Sequence, residues 1–256
     1  MELNLPIGKK VYFASDFHFG IPTKSSSDTR EKLVCKWLDE ISNDAAIIYL
    51  VGDIFDAWME YKTVVPKGSI RFLGKLALLK DKGITVEVFT GNHDLWMYGY
   101  FEEALGIPVH HNEIQRTING KSFIIGHGDG LGPGDNGYKI LKKILRNPIC
   151  QWMYRWIHPD IGFGIASYFS KQGPKHIEGV EDEFKCPQKE FLVQYCQNVL
   201  KSQSIDYFVF GHRHLAIEYP LNNTSLYINL GDWIKYNSYA VFDGFNLQLK
   251  YYKNEH

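Results

Sequence analysis

Cysteine is scarce in this chain: four residues in 256, Cys35, Cys150, Cys186 and Cys196, with no CxxC pair among them. That spacing shows no disulfide framework, and the four read as reduced thiols of a cytosolic protein. An excess of one charge is missing too. Twenty-eight Lys and Arg against 29 Asp and Glu give a net charge of −1, so the whole molecule has no field that would draw nucleic acid or a membrane. Any such preference must come from a local patch. No run approaches the roughly 20 apolar residues of a spanning helix, and the opening MELNLPIGKK lacks the apolar stretch of a signal peptide. The expected compartment is the cytoplasm. Internal repeats and low-complexity segments are absent.

What is present suits one large core, or a core with an insertion. Runs rich in Val, Ile, Tyr and Phe predict strands at KVYFAS (10–15), AAIIYLV (45–51), ITVEVF (84–89), KSFIIG (121–126), YFVFG (207–211) and SLYINL (225–230), with a closing pair around SYAVF and FNLQLKYY. Helical spacing predicts helices over 29–42 and 69–82. The alternation gives an α/β layered core.

Five of these strands end alike, in SDFH, VGDIFD, TGNHD, GHGDG and GHRH. A small residue leaves the strand, and carboxylates, imidazoles or an amide follow at once. Strand ends on one edge of an open sheet form a crevice, so the five loops can converge. The candidate ligands are Asp16, His18, Asp53, Asn92, His127, His212 and His214. Mixed carboxylate, imidazole and amide donors suit Mn, Fe or Zn rather than Ca. Seven donors exceed the need of one ion. They match two ions that share a carboxylate and keep positions for water. His110, His111, His158, His176 and His256 lack this context and read as surface or supporting residues.

Between residues 131 and 187 the strand pattern stops. The stretch 137–175 is helical in spacing, broken by Pro148 and Pro159, and holds seven basic residues against one acidic, Asp160. It reads as a helical cap inserted over the site, with 1–130 and 188–256 as the core. Lys139, Lys142, Lys143 and Arg146 predict a basic face beside Ile140, Leu141, Ile144 and Leu145, and Trp152, Tyr154 and Trp156 follow. Such a helix suits an anionic lipid surface or an acyl pocket.

The series DFH, GDIFD, GNHD, GH and GHRH resembles that of the calcineurin-like metallophosphoesterases across nearly the whole chain. The resemblance implies a two-sheet β-sandwich flanked by helices. It implies one metal on Asp16, His18, Asp53 and His214, a second on Asn92, His127 and His212, and Asp53 as the bridge. Mn stands foremost among the candidate ions. GDIFDAW, HGDG, LGDW and the basic apolar insert are similar to the UDP-2,3-diacylglucosamine diphosphatases of lipid A synthesis. That likeness implies an acylated UDP-sugar substrate, contact with the inner membrane, no nucleic acid and no obligate protein partner. Asp135, Ser170 and Lys171 then fall among the cap residues that contact substrate, together with Asn92, His93 and His212 near the metals. One departure stands out, since the proteobacterial form carries Arg where this chain has His93, the residue of the wider superfamily.

His93, next to Asn92, is placed to give a proton to the leaving oxygen, and Asp94 to orient its ring. Asp56, closing GDxxD, reads as a support for a ligand histidine. The alternative reading is a metallophosphoesterase with a soluble substrate, such as a cyclic nucleotide, a phosphoprotein or a nucleic-acid end.

Overall fold

The computed structural model of the chain describes residues 2–21, 24–134, 136–172, 184 and 186–253, leaving aside the side chains of 24–26 and 167–172. In chain order come β1 (Glu2–Leu3), β2 (Lys10–Ala14), α1 (Lys24–Ile41), β3 (Ala45–Val51), α2 (Ile70–Asp81), β4 (Thr85–Phe89), α3 (Tyr100–Leu105) and β5 (Val109–His110). The hairpin of β6 (Ile114–Ile118) and β7 (Lys121–Gly126) follows, then α4 (Asn136–Leu145), α5 (Pro148–Tyr154), α6 (Pro159–Gln172) and α7 (Phe191–Leu200). The chain closes with β8 (Tyr207–Phe210), β9 (Ala216–Pro220), β10 (Leu226–Leu230), β11 (Ser238–Phe242) and β12 (Leu247–Tyr251).

The strands form two six-stranded sheets, ordered β12-β11-β2-β3-β4-β5 and β1-β6-β7-β8-β10-β9. Alternation along each strand sorts side chains between layers. Val11 and Phe13 of β2, Ile47, Tyr49 and Val51 of β3, and Phe123, Val209 and Ile228 from the other sheet fill the space between the sheets. Their neighbours Tyr12, Ala14, Ile48 and Leu50 turn outward to meet Trp37 and Leu38 of α1 and Phe72 and Leu76 of α2. On the far side, Ile124, Phe208 and Tyr227 pack on Leu192, Val193 and Cys196 of α7. The result is a helix–sheet–sheet–helix stack, the sandwich the motif series implies.

Parallel pairing matters most for the site. β2, β3 and β4 are parallel in one sheet, and β7, β8 and β10 in the other. Each set sends its C-terminal loops to one edge. The sequence windows for β2, β3, β4, β7, β8 and β10 hold to within a residue or so. Strands β1, β5, β6 and β9 and helices α3 and α7 carry no expectation above.

The proline-broken stretch does form helices. Pro148 starts α5 instead of merely ending α4: Asn147 accepts hydrogen bonds from Ile149 N (2.9 Å) and Cys150 N (3.4 Å), with proline in the first turn, where no donor is lost. Neither α4 nor α5 buries a residue. Ile140, Leu141, Ile144, Ile149, Trp152, Met153 and Trp156 all stay exposed. The basic face expected on α4 behaves otherwise. Lys139 donates to Gly132 O (2.6 Å), Lys142 pairs with Asp129 (2.6 Å), and Arg146 donates to Asn112 Oδ1 (2.8 Å) and to His111 O. Lys142 and Arg146 therefore tie the helix to the core, and Lys139 to the loop that leads into it. Among the described residues no helix is long and apolar enough to cross a membrane.

Candidate metal centre

Backbone geometry builds the site first. Asp16, His18, Asp53, His212 and His214 all have positive φ, between 46° and 69°. L-residues occupy this left-handed region rarely and at a cost. Five such residues in three loops turn their side chains off the strand ends toward one point. The glycines supply the clearance. A Cβ on Gly91 would lie 2.1 Å from Asp53 Oδ1, one on Gly52 2.5 Å from the His127 ring, and one on Gly211 2.6 Å from Asp16 Oδ2. Glycine stands beside these ligands because backbone and ligand are in contact there.

The donors then converge in two groups sharing Asp53. In one, His214 Nε2 is 3.2 Å from His18 Nε2 and 3.4 Å from Asp16 Oδ1, and His18 Nε2 is 3.6 Å from Asp53 Oδ2. In the other, His127 Nε2 lies 3.3 Å from the same Asp53 Oδ2 and 3.3 Å from Asn92 Oδ1, which is 2.9 Å from His212 Nδ1. The seven side chains expected from the sequence are thus one cluster. Asp16, His18, Asp53 and His127 are almost fully buried.

The donor set fits two divalent cations. Asp16 Oδ1 is buried without a hydrogen-bond partner, an arrangement that normally costs stability unless something else satisfies the group. The histidines are oriented from behind, as metal-binding imidazoles usually are. His127 Nδ1 is 2.9 Å from Val51 O, and His214 Nδ1 is 3.3 Å from Asp232 Oδ2. Burial disfavours charge on His18 and His127, but Asp16 and Asp56 for the first, and Asp53 for the second, outweigh it and push both up to about 10. Burial likewise opposes charge on Asp53, yet His127 and His93 hold it well below the usual carboxylate range. Burial and the neighbouring His127 push His212 down to about 4.

His93 and Asp94 part company. The His93 amide donates to Asp53 Oδ1 (2.9 Å), and its Nδ1 lies 3.1 Å from Asp56 O and 3.5 Å from Asp56 Oδ1. Asp94 instead turns into the core. Its Oδ1 accepts from Gly91 N (2.6 Å), and its Oδ2 from Ile54 N (2.8 Å) and Phe55 N (3.4 Å). The orienting contact expected of Asp94 is made by Asp56, because Asp94 is occupied pinning the 91–94 turn to the 53–55 loop. Burial and the Asp53 charge raise the Asp94 carboxyl to about 6.

Several supports carry no expectation above. Arg30 of α1 is buried and donates to Phe17 O (2.5 Å) and His18 O (2.7 Å), clamping the DFH loop. Asp232, in LGDW, accepts three backbone N–H groups from 234–236 while facing His214. The LGDW motif is the signal that marks it. Nothing in the amino-acid pattern of α1 marks Arg30. Of the cap residues, Asp135 lies outside the described residues, as do the side chains of Ser170 and Lys171.

A buried carboxylate–imidazole–amide cluster at the strand-end edge of a two-sheet α/β sandwich defines a metal-dependent hydrolase. The family model for the calcineurin-like phosphoesterases matches residues 9–216. Curated relatives run the length of the chain. UDP-2,3-diacylglucosamine hydrolase of Porphyromonas gingivalis is 35% identical over 253 residues, 94% of this chain and 97% of that protein. The protein of that name from Blochmanniella pennsylvanica is 27% identical over 89% of this chain and 90% of its own. The chain belongs to the calcineurin-like phosphoesterase family, whose members act with divalent metal ions.

Proposed function

We propose that this protein hydrolyses the pyrophosphate of UDP-2,3-diacylglucosamine, yielding UMP and 2,3-diacylglucosamine 1-phosphate for lipid A synthesis. One observation carries the substrate: a relative named a UDP-2,3-diacylglucosamine hydrolase is 35% identical over 94% of this chain. Asp16, His18, Asp53 and His214 would hold one divalent ion and Asn92, His127 and His212 the other, Asp53 being near the donors of both groups. Mn is the first candidate, with Fe and Zn suited to the same donors. When bound, such a pair generates hydroxide at neutral pH and clamps phosphoryl oxygens.

The chain's own residues do the rest. His93 holds a proton for the oxygen that leaves the nucleotide-proximal phosphorus, and Asp56 steadies the ring from the Nδ1 side. Asp94 keeps the turn that presents Asn92 and His93. Residues 131–187 act as a cap. Trp96, just past the GNHD turn, donates to Leu145 O (2.9 Å) and meets Tyr154 edge to face. The helices carrying the exposed apolar residues are therefore fastened to the catalytic turn. Their apolar sides, with Trp152 and Trp156, suit acyl chains and the membrane–water boundary. The working location is the cytoplasmic face of the inner membrane, and the likeness to the diphosphatases makes Asp135, Ser170 and Lys171 the candidate cap contacts to substrate.

The test compares turnover of UDP-2,3-diacylglucosamine in mixed micelles with that of bis-p-nitrophenyl phosphate. A kcat/KM at least 100-fold higher for the acylated nucleotide sugar is expected. Cleavage of the small diester alone overturns the lipid reading.

A further inference from the structure

Asp129 follows His127 by two residues, and the two side chains serve opposite partners. Between them Gly128 has φ +106°, and a Cβ there would press on Leu192 at 3.2 Å, so the backbone can reverse direction in one residue. His127 points to Asp53 and Asn92. Asp129 is buried, 4% exposed, and meets α4: Tyr138 Oη donates to its carboxylate, and Lys142 Nζ lies 2.6 Å from Oδ2 while donating to the Asp129 carbonyl at 2.8 Å. Tyr138 and Lys142 are four apart, on one helix face. The two contacts therefore act on one turn of α4.

Helix α4 needs this anchorage, because no residue of it is buried. Hydrophobic burial, which fastens most helices to their domains, contributes little. Polar contacts to the core remain: Asp129, the Arg146 bonds to Asn112 and His111, and the Trp96 bond to Leu145 O. Of these acceptors on the core side, only Asp129 offers a buried carboxylate. Removing a partner from a desolvated carboxylate with two donors costs far more than removing one from an exposed pair. Asp129 is also on the loop that carries His127.

We propose that Asp129 is a positioning residue that sets the cap helices over the metal centre through Tyr138 and Lys142, so that large, cap-bound substrates depend on it and small phosphodiesters do not. His127 keeps its own supports, Val51 O and Asp53, when Asp129 is changed. The kinetic arm of this inference rests on the lipid reading, and the structural arm is independent of it.

The variants are Asp129→Asn, which keeps size, and Tyr138→Phe, which removes one hydroxyl at the far end of the contact. In the metal-loaded full chain, amide exchange over 136–145 should quicken at least tenfold in Asp129→Asn and less in Tyr138→Phe. Exchange in 89–96 and 207–215 should stay as in the parent, with two metal equivalents retained. KM for the acylated nucleotide sugar should rise at least fivefold, with kcat/KM for bis-p-nitrophenyl phosphate within twofold of the parent. Unchanged exchange over 136–145 in both variants overturns the proposal, as does an equal loss on both substrates, which would put Asp129's effect in the metal centre. If the parent protein ignores the acylated sugar, the lipid reading falls, and the exchange data alone decide the role of Asp129.

Discussion

The His93 imidazole sits against Asp56, its Nδ1 3.1 Å from the carbonyl oxygen and 3.5 Å from the carboxylate of that residue. Burial disfavours the charged ring, but the Asp53 charge and the Asp56 contact raise its pKa. A ring protonated near neutral pH is what an acid facing a leaving oxygen requires. His93→Ala should lower kcat by roughly 10²–10⁴-fold while metal analysis still finds two equivalents. Loss of one equivalent would make His93 a ligand instead.

Asp56→Asn tests the pairing itself. Taking away the carboxylate removes a group that favours the protonated ring, so the His93 pKa falls. The alkaline limb of the kcat–pH profile, where the acid loses its proton, should move to lower pH. The acidic limb and the metal content should hold. An alkaline limb that stays put would mean Asp56 serves only His18, whose Nδ1 is 3.7 Å from the same carboxylate.

Asp94 should behave as a structural residue. Its two oxygens accept three backbone N–H groups in a fully buried setting. Asp94→Ala strands those donors, and each orphan costs about 1–3 kcal/mol. A stability loss on the order of 3 kcal/mol or more is expected in urea unfolding of the metal-loaded enzyme. Activity of the fraction that remains folded should fall far less than in His93→Ala. A catalytic collapse with unchanged unfolding would return Asp94 to the chemistry.

Metal uptake should release protons. Asp53 and its fellow carboxylates raise His18 and His127 to about 10 against the pull of burial, so near pH 7 the apo cluster holds protons on rings that must lose them to bind. Calorimetric titration of apoprotein with Mn²⁺ in two buffers of different ionisation enthalpy should report roughly two protons released per two metals. Affinity should climb as pH rises from 6 to 9. Buffer-independent heats would mean the imidazoles are neutral before the metal arrives.

Much of this was written openly in the chain. A glycine and a ligand directly after a β-rich run is a local pattern, and the seven donors and the parallel strands beneath them share it. Strands β5 and β9 sit at sheet edges, and β6 (IQRTI) has apolar residues only at its ends, so neither alternation nor a long apolar run marks them. The six residues of α3 are too few to show a helical period. The exchange of roles between Asp94 and Asp56 was hidden for a different reason. It depends on how two loops from neighbouring strands are turned, with Asp53 at φ 49°, and spacing along the chain does not encode that. The cations of α4 were misleading because charge on a helix implies solvent or lipid only where no carbonyl or carboxylate of the core lies opposite.

The glycines offer the sharpest test of how the site is built, because a methyl group can be added while every ligand residue is kept. Gly91 has an ordinary negative-φ backbone, so alanine there is not excluded by its dihedrals; what excludes it is Asp53, whose Oδ1 would be 2.1 Å from the new Cβ and whose backbone N would be 2.6 Å away. Asp53 has 1% of its surface free and cannot retreat. Gly91→Ala should therefore bind less than one metal equivalent and lose activity at least 10²-fold, though all seven donors are intact. Gly74, exposed on α2 with open space around it, sets the opposite sign: Gly74→Ala should stabilise the protein by about 0.5–1 kcal/mol through helix propensity and leave both metals in place. Equal metal content in the two variants would show that the bridging carboxylate tolerates displacement, and that close backbone approach is not what holds it.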